Sequence, residues 1–515
     1  MYDNRFSSKE MAENKNKRKK YRPVGYYRLI KQYNLDVIPH WHKSMVATGG
    51  IHKINTNAEV VEEIYPPIYW PGDTLGEHLE FALKYDGVNL AILMRIFEKI
   101  NKEELVEYIK SKHTGKYARR LWFLFEFLTG KILALDDLKQ GNYIDLLEPE
   151  KYYTDSNTIQ VSRQRIYDNL LGNRHFCPIV RRTDSLQKLE KADLPDRCSK
   201  IFSSYSPEFL KRALGYLYTK ETKSSFEIEH IEPSLTRINR FIALLQSAGK
   251  EDFFKKEKLI ELQNNIVDAR FQNTDYRSDQ NYVGETVAWK KERIHFVSPK
   301  PEDLPGLIDG LISSHERMIL SDLSAVIHAA AISYGFVFMH PFEDGNGRIH
   351  RFLIHNILAL RDFTPNEAIF PVSAVMLKNP ADYDNSLEAF SSRFMPLVEY
   401  SIDEEGHLTV HNDTAIWYRY IDMTSQAEAL FHFIEKTIDE ELKNELEFLA
   451  NYDKTKKAIQ EIVDMPDNKI DLFIRFCLQN HGRLSKKKYI SSFDFLTEEE
   501  VLLLEEAVQI NYNNL

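Results

Sequence analysis

Cysteine is almost missing from this chain: Cys177, Cys198 and Cys477 are the three in 515 residues, widely separated and in no CxxC or Cys/His spacing. Neither a disulfide framework nor a Cys-based zinc site is indicated, and a reducing, cytoplasmic setting is expected. Glycine and proline are sparse too, at 20 and 19 residues, about 8% together against roughly 12% in average proteins. Turns are therefore few, which disfavours collagen-like, mucin-like and turn-rich all-β architectures. No apolar run is long enough to span a bilayer: the longest, 121–135, is interrupted by Glu126 and Lys131. The first 22 residues carry eight Lys/Arg and three acids with no apolar segment behind them, which argues against a secretory signal. An excess of positive charge is also lacking. A net charge of −10 creates no global field to hold nucleic-acid phosphates, so any basic patch must be local.

What is present is ordinary globular material, with 43% hydrophobic and 28% charged residues, in a chain long enough for three to four domains at about 150 residues each. Residues 1–22 read as a solvated, disordered basic tail and 23–200 as an α-rich N-terminal accessory domain, because apolar residues recur at three- and four-residue spacing from about residue 76. His40 and His42 have no third ligand nearby and read as ordinary surface histidines. Within a block spanning 205–400, two β-branched and aromatic runs, 282–289 and 293–297, predict a hairpin turning at Lys290–Glu292. The long helical stretch 307–338 should break near Leu320–Asp322. Residues 401–515 read as a helical, acidic C-terminal domain. Near its end a Ser485 cap and a Thr497–Glu500 capping box suggest a tri-helical or helix-turn-helix-like spacing. Lys486, Lys487 and Lys488 read as a solvated face in preference to a phosphate contact. No internal repeat is evident.

The chemistry concentrates in His340-Pro-Phe-Glu-Asp-Gly-Asn-Gly-Arg-Ile-His-Arg351. Downstream, Ile349, Phe352, Leu353, Ile357 and Leu360 recur at helical spacing, so Gly345-Asn346-Gly347 stands at the turn that opens a helix. Unpaired N–H groups and the macrodipole make such a turn an anion cradle. Asn346 adds a neutral amide donor, and Arg348 and Arg351, three apart on one face, suit successive phosphates. Asp344 offers a single carboxylate for Mg²⁺ whose other ligands are phosphate oxygens and water. His340 is placed to take a proton from an attacking hydroxyl. His350 and His355, five apart, cannot bind one ion as HExxH does.

This string resembles, position by position, the signature HPFx[D/E]GNGRxxR of Fic-domain proteins. The resemblance implies a mainly α fold, a Fic-type helical bundle with a small β-hairpin flap, in an enzyme that moves AMP from ATP to a hydroxyl of a target protein. It implies His340 as general base, Asp344 as Mg²⁺ ligand, Gly345, Asn346 and Gly347 as phosphate hole, Arg348 as phosphate clamp and Arg351 as γ-phosphate clamp. The kinase branch of the family has Lys where Gly347 stands, which favours nucleotidyl transfer. Tyr276-Arg-Ser-Asp-Gln-Asn-Tyr-Val-Gly284 is similar to the run YRxxQNxxG that introduces the flap, whose edge aligns a target segment by main-chain pairing. Asn379-Pro-Ala-Asp-Tyr-Asp384 resembles the NRxxYY segment of the nucleoside pocket, with Tyr383 matching and Pro380 and Asp384 departing. Tyr383, Val283 and Gly284 are thus implied nucleotide contacts.

Ser225-Phe-Glu-Ile-Glu229 resembles the family's inhibitory sequence [S/T]xxxE[G/N], with His230 in place of Gly or Asn. A helix presenting Glu229 to Arg351 would occupy the guanidinium that the γ-phosphate needs. The leading expectation is an autoinhibited, Mg²⁺-dependent protein adenylyltransferase, open to self-modification and to a homodimer, with no membrane contact and nucleic acid not expected. Alternatives within the enzyme class are removal of AMP and donation of another nucleotide or diphosphate-linked group. From another class, a nucleotide-sensing adaptor with C-terminal nucleic-acid contacts stays open, although it has no use for a base at His340.

Overall fold

The structure, a computed structural model, describes residues 21–50, 52–56, 60–288, 291–365 and 368–512. The expected basic tail lies outside the described residues up to residue 20. Its boundary at 22 falls inside a strand, because β1 (Tyr21–Pro23) pairs antiparallel with β2 (His42–Ala47). With β3 (Lys53–Thr56) and β4 (Val61–Tyr65) they form a sheet of order β1-β2-β4-β3 in which β2 and β4 run parallel. The N-terminal segment is therefore mixed α and β. These strands are short, and β3 is exposed along its length, so they carry no clean alternation from which a strand could be read. The helices α1 (Gly25–Tyr33), α2 (Leu75–Phe81), α3 (Leu90–Lys99) and α4 (Lys116–Thr129) follow local signals. Thr74 and Glu77 form a capping box on α2, Asn89 accepts from Ile92 N–H at 3.0 Å on α3, and Gly130, at φ 66°, closes α4. A second small sheet contains β5 (Ile144–Asp145), β6 (Ile159–Val161) and β7 (Ile166–Asp168), in the order β5-β7-β6.

His40 and His42 are not surface histidines. Both gather round Asp86, which is buried. His42 Nδ1 meets Asp86 Oδ1 at 3.2 Å and its Nε2 meets Glu63 Oε2 at 2.8 Å, while His40 Nε2 donates to the Asp86 carbonyl at 2.9 Å. Tyr26 N–H and Ser44 Oγ donate to the same carboxylate, the first at 3.0 Å. One carboxylate thereby ties α1 and β2 to the turn after α2, contacts separated by up to 60 residues in the chain.

The chain continues through α5 (Pro207–Glu227), α6 (Lys256–Ile266) and the antiparallel hairpin β8 (Tyr282–Ala288) and β9 (Lys291–Val297). The expected hairpin is present, and residues 289–290 at its tip lie outside the described residues. Then come α7 (Leu304–Ile319), α8 (Ala325–Met339), α9 (Asn346–Leu360), α10 (Val372–Lys378) and α11 (Pro380–Phe394). The break between α7 and α8 falls where the sequence predicts it. From Val326 to Met339 every residue of α8 is buried, the mark of a central helix that is apolar all round. Last come α12 (Lys443–Ile462), α13 (Asp467–Leu478), α14 (Lys486–Ser492) and α15 (Glu498–Asn511). Ser485 and the Thr497–Glu500 box cap α14 and α15 as expected, around a core that includes Phe473, Phe493 and Leu504. The fold is mainly α with small β elements.

Two compact units result, and they are not the consecutive segments 23–200, 205–400 and 401–515. The first joins the residues up to Ala192 with Ser234–Phe363 and Asn379–Phe431; the second joins Asp193–Pro233, Thr364–Lys378 and His432–Leu515. The second is interleaved because α5 finds its partners far downstream. Lys220 Nζ pairs with Glu441 at 2.7 Å and Glu445 at 2.5 Å, and buried Glu221 accepts from Ser373 N–H at 2.9 Å at the start of α10. A carboxylate at a helix N-terminus is well placed against the dipole.

Burial alone would lower the pKa of His42, but its bonds to Asp86 and Glu63 more than offset this and hold it above the usual 6.5. The folded state therefore binds more protons than the unfolded one, and this contribution is full below pH 6.5 and lost as pH rises through the raised value. Melting temperature measured from pH 6.5 upward should fall more steeply for the native chain than for His42→Gln; parallel profiles would contradict this.

Candidate functional site

The site is built at the end of the central helix. Pro341 cannot extend α8, and His340 closes it in the left-handed region at φ 49°, its N–H donating to Phe336 O at 3.0 Å. The imidazole Nδ1 lies 3.0 Å from Val337 O. A carbonyl only accepts, so Nδ1 carries the proton and the acceptor lone pair of the neutral ring is on Nε2.

Phe342 is buried and anchors the next turn. Asn346 closes that turn on itself: its Oδ1 accepts Phe342 N–H at 3.1 Å and its Nδ2 donates to Phe342 O at 2.7 Å. The amide expected as an oxyanion donor is thus a brace of the loop. Gly345 stands at φ 92°, where a Cβ would lie 2.9 Å from Val267 Cγ1, so both backbone and space require glycine. Gly345-Asn346-Gly347 opens α9 as predicted, with N–H groups at a helix N-terminus.

Arg348 and Arg351 are both buried on α9. Arg348 Nη2 donates to Asp344 Oδ1 at 2.6 Å, and that oxygen also accepts Gly345 N–H at 2.6 Å. The expected pair of open forks is therefore modified: Arg348 is joined to the candidate metal carboxylate. Arg351 Nη1 lies 3.5 Å from Tyr383 Oη. Tyr383 is buried and meets Arg351, whereas Asp384 faces the adjoining cavity.

That cavity, about 270 Å³, reaches from His340 between the hairpin and α11. Val283, Phe296, Val337 and Leu387 give it apolar walls, and His295, Asp384, Glu388 and Ser391 add polar groups. Val283, one of the implied nucleotide contacts, is among the lining residues. Gly284 is not: it sits at an irregularity of the β8–β9 register, where a Cβ would fall 2.7 Å from Arg293 O. His350 on α9 is buried and packs edge-on against Tyr334, and burial drives its pKa down to about 3, so it stays neutral.

Sequence reasoning assigned no role to Gln263, Arg277 and Asn281, which hold the loop from outside. Gln263 Nε2 donates to Asp344 O at 3.3 Å, Asn281 Nδ2 to Phe342 O at 3.1 Å and Arg277 Nε to His340 O at 2.9 Å. Two of them belong to the run 276–284 already singled out. The signal was present, but the acceptors are backbone carbonyls, which no residue type announces.

Ser225 and Glu229 belong to the second unit. The helix α5 ends at Glu227, so Glu229 lies in the closing turn, not in the helix. There His230 N–H and Ile231 N–H donate to Glu227 O and Phe226 O, and His230 takes φ 55°. His230, which stands where the inhibitory pattern has Gly or Asn, thus takes a left-handed conformation at a conformational cost. His230→Gly should raise stability by about 0.5–1 kcal/mol, read by urea unfolding of the purified chain; a loss would contradict the strain.

The model of the Fic/DOC family matches residues 253–358. The chain is 23% identical over 385 residues to a protein named Protein adenylyltransferase Fic from Nematostella vectensis, an alignment covering 65% of this chain and 83% of that one. It is 29% identical over 123 residues to the protein of the same name from Culex quinquefasciatus, covering 23% of this chain and 22% of that one. Among solved structures, a Fic family protein from Desulfovibrio desulfuricans G20 aligns at 17% identity with a TM-score of 0.38, over 60% of this chain and 87% of that one.

Proposed function

We propose that this chain, which carries a Fic domain, is a protein adenylyltransferase moving AMP from ATP to a hydroxyl side chain of a protein, its own chain included. The observation that supports this most is the placement of His340. Its proton is held on Nδ1 by Val337 O, on the wall of a cavity of about 270 Å³ and just before the N-terminus of α9. Phosphate oxygens rest on the N–H groups opening α9, with Arg348 and Arg351 beneath. His340 Nε2 takes the hydroxyl proton as the acceptor oxygen bonds to the α-phosphorus. The bond from that phosphorus to the α–β bridging oxygen breaks, and pyrophosphate leaves. The edge of β8 aligns the acceptor segment by strand addition.

The residues present fit a Mg²⁺ shared with the phosphates. Asp344 has 39% of its side chain exposed, and the Arg348 and Gly345 donors both go to Oδ1, so Oδ2 is the oxygen for a metal. Bound there, the ion would neutralise phosphate charge. Regulation in this reading comes from Glu229, whose carboxylate competes with the γ-phosphate for Arg351. The left-handed turn at His230 supports it, because it keeps the backbone that the inhibitory pattern's Gly or Asn would otherwise supply. Three buried, unpaired thiols agree with a reducing, cytoplasmic setting, and among the described residues no helix is long and apolar enough to cross a membrane.

With α-labelled ATP, His340→Ala should lower transfer by roughly 10²- to 10⁴-fold while ATP binding by calorimetry stays nearly unchanged. Transfer at the native rate would remove His340 as the base. Glu229→Gly should raise labelling above the native level, and adding Arg351→Ala should cancel the gain. Native and Glu229→Gly chains labelled equally would leave Glu229 a bystander.

A further inference from the structure

Arg277 stands in the segment leading into the hairpin and is 4% exposed. Its backbone N–H donates to Pro341 O at 2.9 Å and its Nε to His340 O at 2.9 Å, two consecutive carbonyls of the motif loop. Its Nη1 donates to Asp279 O at 2.7 Å, ahead of β8, and its Nη2 donates to Pro299 O, just beyond β9. One guanidinium therefore grips both feet of the hairpin and the peptide carbonyl of His340 at once. Asn281 extends the same seam, with Nδ2 on Phe342 O at 3.1 Å and its own carbonyl accepting Ser298 Oγ at 2.8 Å.

None of these acceptors is a carboxylate. Burial pulls the pKa of Arg277 down to about 10, which still leaves it charged at neutral pH. Holding a buried cation with carbonyls as its hydrogen-bond acceptors, and Asp279 only as a nearby charge, is costly. What it supplies is geometry: a planar fork with fixed N–H directions sets the spacing of its acceptors. Those acceptors are the two partners that must meet in the transfer, the loop bearing the base and the strand edge that carries the incoming hydroxyl.

We propose that Arg277 is a positioning residue for the transfer, fixing the imidazole of His340 against the β8 edge so that Nε2 and the acceptor oxygen meet in line. This rests on the reading of His340 as the base. ATP contacts other groups, so the proposal separates turnover from nucleotide binding.

The test uses the full chain, native and Glu229→Gly, each with Arg277→Lys or Arg277→Gln. Hydrogen exchange read by mass spectrometry should show residues 340–346 and the hairpin losing protection together while α7 keeps its own. Transfer of α-label should fall roughly 10- to 100-fold in kcat, as expected of reacting groups displaced by about an ångström, with KM for ATP within about twofold. Should Arg277→Gln lose protection throughout, Arg277→Lys, which keeps the cation, decides. Unchanged exchange at 340–346, or labelling at the parent rate, overturns the proposal. If no parent chain labels at all, the reading of His340 falls, while the exchange result still decides whether Arg277 braces the loop.

Discussion

Taking a guanidinium out of water costs several kcal/mol unless its N–H groups find acceptors. Of the five buried arginines among the described residues of the first unit, three, Arg277, Arg348 and Arg351, lie around one twelve-residue run. Arg277 is satisfied by carbonyls, Arg348 meets Asp344, and Arg351 approaches the hydroxyl of Tyr383. Each requirement dictates part of the architecture. The carbonyls of His340 and Pro341 must point outward toward Arg277, which a left-handed residue followed by proline allows. Asp344 must turn back one helical turn to reach Arg348. Between them Asn346 closes the loop on Phe342. A site so constrained is pre-organised, which is what electrostatic stabilisation of a phosphate reaction needs.

The second unit solves a different problem with the same chemistry. Its helix α5 brings Lys220 and Glu221 from the middle of the chain to Glu441, Glu445 and Ser373. Lys220 and Glu221 are adjacent in sequence yet serve different partners, because neighbouring residues on a helix point about 100° apart. The helix that leads to Ser225 and Glu229 is therefore anchored by residues from 364–378 and 432–515 through Lys220 and Glu221, while the turn after it closes on its own backbone.

Much of this was legible beforehand, for local reasons. The motif announces itself because cradle, base, carboxylate and arginines are contiguous. The hairpin, the break between α7 and α8, and the caps at Ser485 and Thr497 each depend on a few adjacent residues. What escaped depends on distant ones. His40 and His42 look like surface histidines until Asp86, 44 to 46 residues away, is brought beside them. The N-terminal sheet escaped because β3 is exposed and β1 has three residues. Asn346 was read as a donor to ligand because nothing in the sequence tells which acceptor an amide will choose.

The interleaving of the units also has a consequence in time. Residues of the first unit have all been synthesised once the ribosome passes Phe431, whereas the second still awaits residues 432–515. At roughly 5–20 residues per second that interval lasts about 4–17 s, long compared with the helix formation and collapse of small domains. During it Lys220 has neither Glu441 nor Glu445 to pair with, and α5 sits in a nascent chain in which residues 340–351 are already complete. The order of the genetic message thus schedules the helix leading to Glu229 to be anchored only after the first unit is made.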